Sequence, residues 1–139
     1  MNRIVPHALW IGSTGDLRDV RQLYDAGIRA VVQFAYEEAP IGLPRDFIAC
    51  RFPLVDGADN EPELLRAAIY SVTHLLEEKF ATLLCCQAGL SRSSGIAAAA
   101  LARQTGEPID VCLAQIAKCR PVQIHSGLLA QLESLCRTF

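Results

Sequence analysis

From Leu83 to Arg103 the chain passes from an apolar segment, Leu-Leu-Cys-Cys, through a short stretch containing Gly89. It then enters an alanine-rich segment that is apolar almost all round. Neither segment has a polar face to turn toward water, so both belong in the interior. Thr82 to Cys86 has the length and composition of a strand at the centre of a covered sheet. Ser93 to Arg103 has those of a buried helix. The remaining segments must supply the layers that cover this pair.

They read as alternating strands and helices. Leu9-Trp10-Ile11, stopped by Gly12, is expected as a first strand. Asp16 to Ala26, with Leu17, Val20 and Leu23 at helical spacing and Gly27 after it, is expected as a helix. Ala30 to Phe34 and Phe47 to Val55 are expected as strands, separated by a loop through Pro40, Gly42 and Pro44. Glu61 to Lys79 is the clearest amphipathic helix, with Leu65, Ile69, Val72 and Leu76 in one stripe. Ile109 to Cys119 and Ser126 to Arg137 are expected as two further helices, parted by Arg120-Pro121. This order implies an α/β fold with a mainly parallel central sheet of four to five strands, flanked by helices on both faces.

At 139 residues, 51% of them hydrophobic and 20% charged, the chain has the length and composition of one ordinary globular domain, expected to span 1–139. The formal net charge is -2, with Lys and Arg scattered, which argues against a nucleic-acid or polybasic membrane surface. No apolar run approaches a bilayer span, and the first residues lack the pattern of a signal peptide. The six cysteines (50, 85, 86, 112, 119 and 136) form no Cys-x-x-Cys pair and lie in strand-like or helix-like stretches. They are expected as free thiols in a reducing, cytoplasmic setting, with no metal site.

Cys86 and Arg92, with five residues between them, stand between the central strand and the buried helix. In such a loop the backbone N–H groups of Gln87, Ala88, Gly89, Leu90 and Ser91 can turn toward a common point and form an anion nest at the helix N-terminus. Gly89 permits the tight path. Arg92 offers a planar fork to two phosphoryl oxygens. Cys86, under this positive field, is expected to act as a thiolate nucleophile on phosphorus. Ser93 can hydrogen-bond that thiolate and ease its departure. The spacing alone is a weak pattern. It gains weight from Gly89, Ser91, Ser93 and the flanking elements.

The run Leu-Leu-Cys-Cys-Gln-Ala-Gly-Leu-Ser-Arg-Ser-Ser (83 to 94) resembles the signature of the dual-specificity phosphatases, cysteine-dependent members of the protein tyrosine phosphatase superfamily. Leu9 to Ser13 is similar to that family's opening strand, Phe52 to Asp56 to its acid-bearing segment, and Arg120 to Leu132 to its last helix with the lead-in. The four segments follow the family's order. The resemblance implies a minimal catalytic domain without a cofactor, hydrolysing phosphotyrosine and phosphoserine or phosphothreonine in proteins through a cysteinyl-phosphate.

Such a reaction needs a proton for the leaving oxygen, and Asp56 and Asp59 are both candidates. The family position favours Asp56. Two residues depart from the family pattern. Cys85 stands where His is usual, which implies reduced or pH-shifted activity rather than none; it is expected as a buried filler, facing away from Cys86 on an extended strand. His125 stands where Asn is common and is expected either to brace the loop or to cap the last helix. His7 and His74 have no partner pattern.

The loop between Cys86 and Arg92 carries no Lys, His or further Arg, which favours a protein monophosphate over an inositol lipid or an RNA end. The expected partner is therefore a phosphorylated protein, with phosphate or another oxyanion in the loop, and the chain is expected as a monomer. The alternative is a phosphate-binding pseudophosphatase that recognises phosphoproteins without turnover.

Overall fold

The computed structural model describes residues 1–139. Five strands form one sheet: β1 (Asn2–Arg3), β2 (Leu9–Ser13), β3 (Ala30–Ala35), β4 (Ile48–Leu54) and β5 (Thr82–Cys86), in the spatial order β1-β2-β5-β3-β4. Only the two-residue β1 runs antiparallel; β2, β5, β3 and β4 are all parallel. β5 lies in the middle, with all five residues buried. The α/β architecture with a mainly parallel sheet is the one expected from the alternation of apolar segments.

Successive residues of the central strands face opposite layers, as a pleated backbone requires. On one face Val31, Leu83 and Cys85 pack with Leu17, Leu23 and Ile28 in a small core of six buried residues. On the other, Val32, Phe34, Leu84 and Cys86 belong to the main core of 27. That main core lies under four helices: α2 (Pro62–Glu77), α3 (Arg92–Thr105), α4 (Ile109–Ala117) and α5 (Ser126–Cys136). Helix α3 is the centre of this layer. Ser93 through Ala102 are all buried, and Gly95 brings α5 so close that an added Cβ would stand 2.7 Å from the Leu132 side chain.

The expected helix over Asp16–Ala26 is instead two pieces. A 3₁₀ turn spans Thr14–Arg18, and α1 spans Val20–Asp25. Asp19 divides them: its side chain accepts the Gln22 N–H at 3.1 Å, so it caps a new helix rather than continuing the first. The other helix and strand boundaries agree with expectation to within two residues. All six cysteines are free thiols, and no helix is long and apolar enough to cross a membrane.

Candidate active site

In a parallel sheet every strand ends on the same side, and the loops leaving those ends meet there. This rim gathers the chemistry. Cys86 is the last residue of β5. Asp56 lies two residues past the end of β4, Glu37 two past the end of β3, and Thr14 directly after β2. A cleft of about 350 Å³ opens at the rim over Cys86, the 87–92 loop and Asp56, with Gln123, Ile124 and His125 forming its far wall.

The conformation of the loop follows from what holds its carbonyl groups. Thr14 Oγ1 donates to the Cys86 carbonyl at 3.3 Å. Arg120 Nη2 donates to the Ala88 carbonyl at 3.4 Å, and Ser94 Oγ to that of Gly89 at 3.2 Å. The Gln123 N–H donates to the Leu90 carbonyl at 3.0 Å. Four carbonyls are thus pulled outward by groups from three neighbouring segments. Because a peptide's N–H points opposite to its C=O, this turns the loop amides toward the cleft. None of the N–H groups of Gln87 to Ser91 donates to another backbone carbonyl. Gly89 is required twice over. Its φ is +71°, and an added Cβ would lie 2.5 Å from the Gly12 carbonyl oxygen and 2.7 Å from Arg120 Nη2.

Arg92 begins α3 and is 5% exposed, so its charge needs a partner. That partner is Glu37, which accepts from Nη1 at 2.6 Å and from Nη2 at 2.7 Å. Nη1 also reaches the Leu54 carbonyl at 3.1 Å. Both terminal nitrogens are therefore fixed from the side, while the buried Nε has no acceptor in the protein. Ser93 Oγ, next along α3, is likewise buried without a partner. A phosphoryl group and a thiolate beside these atoms would supply acceptors for both. The hydrogen bonds from Arg92 hold the Glu37 carboxyl at about 2, well below its ordinary 4.5. Arg51 of β4 steadies the turn that carries Glu37, donating to the carbonyls of Tyr36 at 3.3 Å and Glu38 at 3.1 Å.

Asp56 reaches the loop directly: Ser91 Oγ donates to its carboxylate at 2.5 Å, and the same Ser91 oxygen accepts the His125 N–H at 3.0 Å. Asp56 lines the cleft and Asp59 does not. His125 touches the loop only through its backbone, while its Nδ1 accepts the Gly127 N–H at 3.0 Å and caps α5. Of the two expectations for this side chain, the structure has the helix cap.

Cys85 is fully buried in the small core, on the face opposite to Cys86. Burial, then the nearby negative charge of Asp16, pushes its thiol far above the ordinary value, so it stays neutral. Cys86 itself is 3% exposed and lines the cleft. No cluster of His, Cys, Asp and Glu is arranged to hold a metal ion.

The structure thus brings Cys86, the 87–92 loop, Arg92 and Asp56 to one cleft, while Ser93 is fully buried behind it and does not line it. Sequence reasoning missed Glu37, whose partner is 55 residues away. A signal was present nonetheless: a carboxylate just past a predicted strand end, in a chain whose candidate Arg directly precedes a helix expected in the interior.

No protein-family model matches the chain, and no curated protein matches it by sequence. Solved structures do. A mouse putative dual specificity phosphatase, crystallised with zinc tungstate, superposes with a TM-score of 0.85 and 26% identity, over 99% of this chain and 86% of its own. Human DUSP28 superposes with a TM-score of 0.84 and 22% identity, over 99% and 96%. A human tyrosine phosphatase-like serine/threonine/tyrosine-interacting protein reaches 0.84 at 18% identity, also over 99% and 96%. By fold, then, the chain is a protein tyrosine phosphatase-like α/β domain, similar to solved dual-specificity phosphatases.

Proposed function

We propose that residues 1–139 form one catalytic unit, a cysteine-dependent phosphoprotein phosphatase that hydrolyses phosphotyrosine and, with a cleft this open, phosphoserine and phosphothreonine. The observation that carries the reading is the loop with its carbonyls bound outward and its amides free toward Cys86, beside an Arg92 fixed by Glu37. That arrangement suits a phosphoryl group whose charge shifts among its equatorial oxygens during transfer.

In the first step the Cys86 thiolate attacks phosphorus and the P–O bond to the substrate breaks. The leaving oxygen takes the proton of Asp56, which becomes a carboxylate. In the second step that carboxylate removes a proton from water, the oxygen attacks phosphorus, and the P–S bond breaks to give inorganic phosphate and the Cys86 thiolate. Ser93 Oγ donates to the departing sulfur. Apart from Arg92, the lining of the cleft carries no Lys or Arg, which supports a single phosphate rather than a polyphosphate.

The test is hydrolysis of an aryl phosphate by the wild type, Cys86→Ser, Asp56→Asn and Cys85→His. The wild type is expected to exceed Cys86→Ser by several orders of magnitude and Asp56→Asn by about 10²- to 10⁴-fold. A wild type no faster than Cys86→Ser overturns the enzyme reading in favour of a phosphate-binding module.

A further inference from the structure

Asp56 sits on an exposed, glycine-containing loop, Asp56-Gly57-Ala58-Asp59, which has no regular structure of its own. What defines its path is the buried side chain of Asn60, 7% exposed. Asn60 Oδ1 accepts the Val55 N–H at 2.8 Å. Its Nδ2 donates to the Val55 carbonyl at 2.9 Å and to the Gly57 carbonyl at 3.2 Å. The residues on either side of Asp56 are therefore bound by one amide group. That amide group is in turn tied to α5. Gln131 Nε2 donates to the Asn60 carbonyl at 2.8 Å, and Gln131 Oε1 accepts from the Asn60 N–H at 3.3 Å and from Asn60 Nδ2 at 3.4 Å.

We infer that Asn60 and Gln131 form a latch that positions the proton donor: Asn60 shapes the turn around Asp56, and Gln131 moors it to the same α5 whose lead-in contacts the phosphate loop. The inference rests on the proposed role of Asp56. Neither residue lines the cleft, so both are positioning residues and not catalytic ones. The geometry is suited to this. General acid catalysis needs the proton within hydrogen-bond reach of the leaving oxygen, and a free glycine-containing loop would visit that position only part of the time. An amide group satisfies the pattern because the loop presents both N–H and C=O groups at one point. An Asp or a Leu at 60 would meet only some of them or none.

A general acid matters most when the leaving group is poor, and that separates a positioning role from a merely structural one. The experiment compares kcat/KM for an aryl phosphate with a strongly acidic phenol and one with a weakly acidic phenol, in the wild type, Asn60→Ala, Gln131→Met, Asp56→Asn and the Asp56→Asn/Asn60→Ala pair. Asn60→Ala is expected to lower turnover of the poor-leaving-group ester by about 10- to 100-fold, part of the full general-acid effect. For the good-leaving-group ester the loss should be only a few-fold. Gln131→Met should show the same asymmetry in smaller measure, and adding Asn60→Ala to Asp56→Asn should cost nothing more. Equal losses on both esters, or losses that add to that of Asp56→Asn, overturn the latch. In parallel, amide hydrogen exchange in Asn60→Ala should quicken at 55–58 with the 87–92 loop unchanged; unchanged exchange at 55–58 overturns the latch as well. Should the wild type prove inactive, the phosphatase reading falls and the exchange data alone judge the latch.

Discussion

In the proposed reaction Arg92 has two demands on one guanidinium: it must meet a phosphoryl group, and it must be held still while more than nine-tenths of it is out of water. Glu37 answers the second by taking both terminal nitrogens, which leaves Nε without a partner in the protein. Replacing Glu37 by Gln keeps the shape and removes the charge. The variant is expected to lose about 10- to 100-fold in kcat/KM on an aryl phosphate, the scale of a misplaced group in the transition state. The sign of the pH effect follows from the depressed carboxyl value. The contribution of the pair to stability is present above the ordinary carboxylate range and is lost only as pH falls through about 2. Glu37 is therefore charged throughout any working range, and pH–rate profiles of wild type and Glu37→Gln should share the midpoint of their acid limb. A displaced acid limb would mean that Glu37 titrates there after all. At this scale Cys86 and Arg92 could be picked out as candidates by local spacing and neighbours, and Asp56 by the resemblance. Glu37 and Gln131 could not, since each acquires its contact only when segments 55 or 71 residues apart are brought together. Asn60 could not because its bonds to Val55 and Gly57 depend on the path of an irregular loop.

Among the elements, β5 and α3 were the most readable, for the reason that they have no polar face to misplace. α2 was nearly as clear, its stripe of Leu65, Ile69, Val72 and Leu76 being buried as the spacing requires. The segment after β2 was misjudged because Leu17, Val20 and Leu23 satisfy helical periodicity while Asp19, a better cap than interior residue, interrupts it. Helix α3 also has a mechanical duty. Its alanines at 97–100 are fully buried between the sheet and the other helices, and its first turn carries Arg92 and Ser93. Enlarging one of them must push on the site as well as on the core. Ala99→Leu is expected to cost about 1–3 kcal/mol, read as a lower midpoint in urea with an unchanged slope. A variant as stable as the wild type would show the layer around α3 to be looser than its burial implies.

For the molecule as a whole, the site and the fold share their hydrogen bonds. The 3₁₀ turn after β2 (through Thr14), the α4–α5 connection (through Arg120 and Gln123) and α3 (through Ser94) each hold one or two carbonyls of the same loop. An oxyanion that binds the folded loop and not the unfolded chain must therefore raise global stability. At a concentration one hundred times its dissociation constant, vanadate or phosphate should add about 2.7 kcal/mol. Thermal unfolding should show this as a rise of several degrees in the wild type and none in Arg92→Met. An equal rise in both proteins would place the anion elsewhere.

The order of the sheet has one more outcome. Since the parallel strands end on one rim, the turns that enter them gather on the other, where Gly27 precedes β3 in open space and Lys79 and Phe80 precede β5. Those entry turns hold none of the working residues, so grafted segments, whole guest domains or the fresh ends of a permuted chain belong there. At the exit rim there is no such freedom. A single residue spliced between Leu54 and Asp56, or between Ala35 and Glu37, would swing a side chain to the wrong face and disconnect it from the loop. The molecule is in this sense a socket with a rigid mouth and a replaceable back.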